Sequence, residues 1–182
     1  MSNWSNQKWR FPVRVAVLFA TLTFVAPMMA QSAARNEGEI LEAPAAKRDL
    51  YPANANAQEE IDAALKRATP HHKRVLLVFG GNWCYDCHVL DRALHEGAAG
   101  KIMKESFELV DVNIGEADKN LDLVKKYRIP LEKGVPALAV LEKDGTLLYS
   151  SGEGEFEAAR SMRKKDLLAF LERWKKSTFR AR

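Results

Sequence analysis

The two cysteines of this 182-residue chain, Cys84 and Cys87, are separated by two residues and directly follow an apolar run at 75–79. An apolar run of this length predicts a buried strand. A C-x-x-C pair behind a strand is the arrangement in which one thiolate attacks a foreign disulfide and the second thiol resolves the mixed disulfide. A purely structural disulfide is the alternative, but so short a loop would constrain the unfolded chain very little. The spacing therefore favours a redox pair.

Residues 1–30 have the composition of a secretory signal peptide. Lys8, Arg10 and Arg14 precede an apolar stretch, and this segment contains no acidic residue. Because the stretch at 13–30 approaches the length of a membrane span, an uncleaved anchor is the alternative. Both interpretations predict an exported protein, periplasmic or otherwise extracytoplasmic, and the second predicts one tethered by its N-terminus.

Behind this leader, the chain divides into two parts. Residues 31–56 are rich in Ala, Asn, Glu and Pro without a sustained apolar period, which predicts a linker or weakly ordered arm. Residues 57–182 are sufficient for one globular domain. The arm residues that could dock on this domain are Ile40, Leu41, Leu50 and Tyr51.

The charge balance argues against a nucleic-acid partner. The chain has 28 Lys and Arg residues and 24 Asp and Glu residues. Three of the basic residues belong to the leader, so the remainder is close to neutral. A nearly neutral domain has no electrostatic footprint for nucleic acid.

Apolar periodicity predicts the order of secondary-structure elements in the domain. Helices are expected at 57–68, 84–95, 121–127 and 164–179, and strands at 75–79, 107–112, 137–141 and 146–150. The Asp144-Gly145 pair is a hairpin turn signal, which makes the last two strands antiparallel neighbours. This order predicts an α/β fold with a mixed central sheet and helices on both faces.

Two motifs in this order resemble the thioredoxin superfamily, and more narrowly its exported thiol-disulfide oxidoreductases. They are Trp83-Cys84-Tyr85-Asp86-Cys87 after a strand and Gly134-Val135-Pro136 before the next-to-last strand. The resemblance covers roughly residues 56–179. It implies a thioredoxin-like fold and an enzyme that exchanges disulfides with client proteins, with no cofactor and no metal.

The helix that begins at the motif favours Cys84 as the nucleophile. Free N–H groups and the helix dipole stabilise a thiolate at this end, whereas Cys87 lies one turn deeper and would act second. His88 follows Cys84 by four residues, so an imidazolium there would favour the thiolate further; the alternative is a solvated histidine. Asp86 acts in the opposite direction, because a nearby carboxylate raises the pKa of a thiol.

The resemblance also implies roles for three flanking residues. Pro136 matches the family's cis-proline facing the active cysteine, and Val135 would present its backbone to a substrate strand. Without the resemblance, a trans proline at the start of an edge strand is expected. Trp83 matches the tryptophan that shields the redox pair, although core packing alone would also account for an aromatic residue there.

The chain departs from the family pattern at two places. Tyr85 and Asp86 replace the family's Gly-Pro between the cysteines, and Val78 stands where an acid is commonly buried beneath the resolving cysteine. General-base assistance to Cys87 must then come from water or another side chain. Of the two directions of electron flow we favour the reductant, which outside the cytoplasm requires a membrane electron donor.

Three other functions remain open at this stage. Cys84 to His88 also satisfies C-x-x-C-H, the c-type haem attachment motif, with His88 as one axial ligand and Met103 or Met162 as the other. This alternative expects an all-helical fold. The two thiols and His88 could instead carry Cu(I) as a metallochaperone. The third is a domain used only for partner docking.

Overall fold

A computed structural model of the protein describes residues 39–44 and 48–175. The predicted leader at 1–30 and the end of the predicted last helix at 176–179 lie outside these residues. The elements follow the order α1 (Ala57–Ala68), β1 (Arg74–Gly80), α2 (Tyr85–His95), α3 (Gly97–Ser106), β2 (Phe107–Asn113), α4 (Leu121–Lys126), β3 (Ala137–Leu141), β4 (Leu147–Ser150) and α5 (Lys164–Trp174).

The strands form one mixed sheet in the order β2-β1-β3-β4. Strand β1 pairs parallel with β2 and antiparallel with β3, and β3 pairs antiparallel with β4. Because side chains alternate along a strand, Leu77 and Phe79 enter the core on one face while Leu76 and Val78 enter the core on the other. The buried apolar run therefore occupies the centre of the sheet, as its sequence predicts.

Helices cover both faces of the sheet. Residues of α1 and α4 pack into the core on one face, and residues of α2, α3 and α5 pack into the core on the other. This architecture confirms the predicted α/β fold class. Within residues 39–44 and 48–175, none of the helices is both long enough and apolar enough to cross a membrane.

Helix α3 is an element that the sequence analysis does not predict. It follows α2 after a break at Glu96, and Gly97 makes the turn with a φ of +56°. That backbone conformation is readily adopted only by a residue without a Cβ. The helix then buries Ala99 and Met103 in the core, and this burial offsets the low helix propensity of its two glycines.

The described part of the arm lies against the domain. Ile40 forms an isolated antiparallel bridge with Arg163 ahead of α5, and Leu41 is buried in the core beside α2 and α5. Farther along, Arg48 forms an ion pair with Asp91 of α2. These contacts lead the arm toward the N-terminal end of α2, where the two cysteines lie.

Candidate redox site

Cys84 and Cys87 form a disulfide at the start of α2, with their Cα atoms 5.3 Å apart. The backbone turns after β1, and the Cys84 N–H donates to the Gly81 carbonyl at 2.9 Å. Cys84 is the N-cap of α2, and its sulfur accepts a hydrogen bond from the Cys87 N–H at 3.1 Å. Cys84 is 5% exposed and Cys87 is fully buried. The predicted location of Cys84 at the helix N-terminus, with Cys87 one turn deeper, is confirmed.

The Val135-Pro136 peptide bond faces this disulfide and is cis, as the resemblance implies. The carbonyl oxygen of Val135 lies 3.6 Å from the Cys84 sulfur. On the other side of the cysteines, Trp83 is 52% exposed and its indole N–H donates to the Gly115 carbonyl at 2.8 Å. Trp83 therefore borders the disulfide rather than filling the core.

Arg160 holds Asp86, which lies between the cysteines in sequence. The Arg160 backbone N–H donates to the carboxylate at 2.7 Å, and its guanidinium donates to both carboxylate oxygens. Burial acts to raise the pKa of Asp86, but the hydrogen bonds and charge of Arg160 outweigh it and leave the pKa below its usual range. The repulsion that we expected Asp86 to exert on the Cys84 thiolate is thus opposed by an adjacent cation.

The side chain of His88 is buried, with 4% of the residue exposed, so the solvated alternative is wrong. Its Nε2 lies 3.0 Å from the Asn82 carbonyl oxygen. Because a carbonyl only accepts, Nε2 carries the hydrogen in this contact. His88 therefore ties the first turn of α2 to the loop that precedes it.

Asn82 joins the arm to the redox loop through its side-chain amide. Its Oδ1 accepts from the backbone N–H groups of Leu50 and Tyr51 at 2.9 and 3.1 Å. Its Nδ2 donates to the Asp49 carboxylate at 2.6 Å and to the Tyr51 carbonyl at 3.0 Å. Tyr51 in turn packs against both cysteines. The role of Asn82 is not predictable from the sequence, since a lone asparagine in a loop usually indicates only a turn.

The position that Val78 occupies has an acidic neighbour on the adjacent strand. Val78 is buried in β1 and stands in register with Asp111 of β2. Burial, followed by the charge of Asp91, raises the pKa of Asp111 to about 7. A carboxyl group that titrates near neutral pH therefore exists on this face of the sheet, though on a different strand from the one the family pattern uses.

An open groove of about 560 Å³ runs past the disulfide. Tyr85 stands 47% exposed at its edge, with the Arg160 guanidinium 5.1 Å from the centre of its ring. The lining includes Trp83, Cys84, Tyr85, Asp86, Gly134, Val135 and Arg160. The predicted site residues other than Cys87, His88 and Pro136 thus share one surface. Among residues 39–44 and 48–175, no three His, Cys, Asp or Glu residues group closely enough to hold a metal ion.

The sheet order and the cysteine pair opposite a cis-proline define a thioredoxin-like protein. A thioredoxin-like family model matches residues 56–143. A solved disulphide isomerase from Xylella fastidiosa Temecula1 is 34% identical, with 70% of this chain and 98% of that chain covered and a TM-score of 0.65. The chain belongs to the thioredoxin-like family, and with its Cys84–Cys87 disulfide it is a thiol-disulfide oxidoreductase.

Two further solved structures are less similar. The oxidised C-terminal domain of DsbD from Neisseria meningitidis is 17% identical, covers 66% of this chain and 97% of its own, and has a TM-score of 0.49. A DsbH oxidoreductase is 21% identical, covers 78% and 96%, and has a TM-score of 0.48. No curated protein matches this chain.

Proposed function

We propose that this protein is exported and exchanges disulfides with client proteins through Cys84 as the nucleophile and Cys87 as the resolving residue. The observation that supports these roles best is the N-cap geometry of Cys84. Its sulfur already accepts the Cys87 N–H, so a thiolate formed there gains a hydrogen bond together with the helix dipole. Cys87 has no exposed surface through which a client could reach it first.

The exchange conserves electrons between the pair and the client. The Cys84 thiolate attacks one sulfur of a client disulfide, forming a mixed disulfide and releasing the other client sulfur as a thiolate. The Cys87 thiolate then attacks the Cys84 sulfur, which forms the Cys84–Cys87 bond and breaks the bond to the client. The client gains two electrons, the pair loses two, and the client thiolates take up protons from solvent.

The surrounding residues would support this exchange in two ways. Trp83, Tyr85 and Val135 border the groove, and a client strand would pair with the Val135 backbone that Pro136 leaves free. Asp86 and His88 would act from within, Asp86 by holding Arg160 near the groove and His88 by fixing the loop around Asn82. All six would be positioning or binding residues.

We further propose that the protein works as a reductant, recharged by a membrane electron donor. The basic leader at 1–30 supports export, either as a cleaved signal peptide or as an anchor, with 31–56 as a connecting arm and 57–182 as the catalytic domain. The Asp86–Arg160 ion pair next to Cys84 is neutral overall, so it adds no net positive charge of the kind that over-stabilises a thiolate and makes a pair oxidising.

The haem alternative fits the observations less well. It expects an all-helical fold and a free His88 imidazole, whereas this fold contains a four-stranded sheet and the His88 Nε2 contacts the Asn82 carbonyl. A Soret band in the purified protein would support it. Copper analysis of anaerobically purified protein would test the Cu(I) alternative, for which Cys84 and Cys87 would be the ligands.

The reduction potential of the Cys84/Cys87 pair tests the direction of electron flow. The full exported chain is equilibrated in thiol buffers of graded potential, and the oxidised fraction is counted by alkylation and mass spectrometry. We expect a midpoint of about −270 mV or lower, as in strong reductants. A midpoint near about −120 mV, as in strong oxidants, would contradict the reductant role.

A further inference from the structure

Tyr51 comes from the arm but lies inside the redox site. The residue is 1% exposed and packs against Cys84 and Cys87. Its backbone is held at both ends, with its N–H bonded to Asn82 and its carbonyl accepting from Asn82 and from Asn113 at 3.0 Å. Four amide contacts hold the backbone of residues 50–51 and thereby position the Tyr51 ring beside the cysteines.

Gly80 shows how close the Tyr51 hydroxyl comes to the resolving sulfur. A Cβ at Gly80 would lie 2.6 Å from the Cys87 sulfur and also 2.6 Å from the Tyr51 hydroxyl oxygen. The two atoms are therefore separated by no more than twice that distance. The last residue of β1 lacks a side chain at the place where the hydroxyl and the sulfur both need room.

The hydroxyl keeps its proton throughout the working pH range. Burial, and then the negative charges of Asp111 and Asp91, hold the pKa of Tyr51 well above its usual value. Arg48 and His95 face Asp91, and Glu60 acts on Asp111, so these groups set the local field. A phenol that stays neutral is a permanent hydrogen-bond donor, and the group beside it that gains negative charge during exchange is Cys87.

We propose that the Tyr51 hydroxyl donates a hydrogen bond to the Cys87 sulfur when the disulfide is open, and that it thereby favours the resolving thiolate. The inference rests on the proposed function. It gives Tyr51 of the arm the role of assisting Cys87, because the apolar Val78 stands where the family pattern has a buried acid. In the step concerned, the Cys87 thiolate attacks Cys84, the bond between Cys84 and the client breaks, and the client sulfur leaves with the electron pair. Tyr51 transfers no proton in this step; it stabilises the attacking anion before the bond forms.

The pKa of the Cys87 thiol tests this proposal without requiring any client. It is measured in the Cys84→Ser protein from the pH dependence of thiolate absorbance, with and without Tyr51→Phe. The Phe ring keeps the packing and removes the donor, so we expect the pKa of Cys87 to rise by about one unit, a tenfold loss of thiolate at a given pH. Tyr127→Phe, at a buried tyrosine in the core on the other face of the sheet, is the matched control and should leave the pKa unchanged.

An unchanged pKa in Tyr51→Phe, or an equal rise in Tyr127→Phe, would overturn the proposal. Should Tyr51→Phe fail to fold, 3-fluorotyrosine at position 51 supplies a more acidic hydroxyl, and the pKa of Cys87 should then fall. A pKa that stays constant or rises on fluorination would overturn the proposal equally.

Kinetics on the otherwise unaltered chain separate this inference from the proposed function. With a disulfide-bonded peptide, Tyr51→Phe should form the mixed disulfide at the wild-type rate and release the peptide about threefold more slowly, because the tenfold smaller thiolate fraction is partly offset by the greater nucleophilicity of a more basic thiolate. Wild-type release kinetics in the variant would contradict the role of Tyr51 alone. A wild-type protein that forms no mixed disulfide would contradict the proposed function, whatever the pKa of Cys87.

Discussion

Replacing Asp111 with Asn should remove a pH dependence that this carboxyl group imposes on stability. Asp111 lies in β2, and burial together with the charge of Asp91 raises its pKa from 3.8 to about 7. In the unfolded chain the carboxyl group is exposed to water and returns to its ordinary pKa. Between these two values, the folded protein retains a proton that the unfolded chain has already released.

The sign and size of the effect follow from this difference. The contribution of Asp111 to the free energy of unfolding is complete below about pH 4, decreases as the pH rises, and is lost above about pH 7. One proton changes the stability by about 1.4 kcal/mol per pH unit, which gives about 4 kcal/mol over the full interval. Because the side chain keeps some contact with water, we expect about 2–4 kcal/mol.

Urea unfolding of the oxidised protein from pH 4 to 8.5 measures this dependence. Relative to wild type, Asp111→Asn should become progressively more stable as the pH rises through this interval. Glu108→Gln is the matched control on the same strand: burial raises the pKa of Glu108, but Lys73 and Arg67 outweigh it and lower the pKa. Its curve should run parallel to wild type above about pH 5. An Asp111→Asn curve that is also parallel to wild type would refute this reasoning.

Two further perturbations test the surroundings of the disulfide, and a third tests an ion pair farther along α2. Arg160→Gln leaves the Asp86 carboxylate without its cation, so the pKa of Cys84 should rise, as measured by pH-dependent alkylation; an unchanged or lower pKa would contradict the electrostatic account. Asn82→Ala removes the hydrogen bonds to residues 49–51, so it should lower the free energy of unfolding by about 1–3 kcal/mol and speed amide hydrogen exchange at Tyr51. Unchanged exchange at Tyr51 would show that other contacts hold the arm. A hydrogen bond to Asp91 raises the pKa of His95 to about 9, so the stability that the His95–Asp91 pair contributes is present below about pH 6.5 and lost as the pH rises through 9. In thermal unfolding, His95→Gln should abolish this loss of stability at high pH. A loss that persists in the variant would show that another group causes it.

Local sequence patterns predict the centre of this fold well. The apolar run that forms β1 and the cysteines at the start of α2 are local features. Their structure follows from the apolar periodicity and the helix N-cap, which involve only residues that are neighbours in sequence. The β3–β4 hairpin is likewise encoded by Asp144 and Gly145, which adopts a φ of +88°. Helix α3 is missed because glycines at 97 and 100 indicate a break, whereas packing of Ala99 and Met103 decides the outcome.

The candidate site is predictable only where its residues belong to a short sequence motif, as the cysteine pair and Gly134-Val135-Pro136 do. Cys84, Cys87 and their immediate neighbours form a motif, but Arg160 reaches Asp86 across 74 positions and Asn82 reaches Leu50 across 32. Such long-range pairs arise from the topology of the sheet and leave no periodic trace in one sequence. Tyr51 is among the arm residues that the sequence predicts could dock, and its location beside Cys87 depends on how the arm packs.

The capture of a client in covalent linkage tests the order of the two cysteines most directly. The Cys87→Ser protein is reduced, mixed with a disulfide-bonded client peptide and analysed by mass spectrometry, with Cys84→Ser treated in parallel. The account predicts a stable mixed disulfide on Cys84 in the first variant and little capture by the buried Cys87 in the second. Equal capture by both variants, or a linkage found only on Cys87, would contradict it.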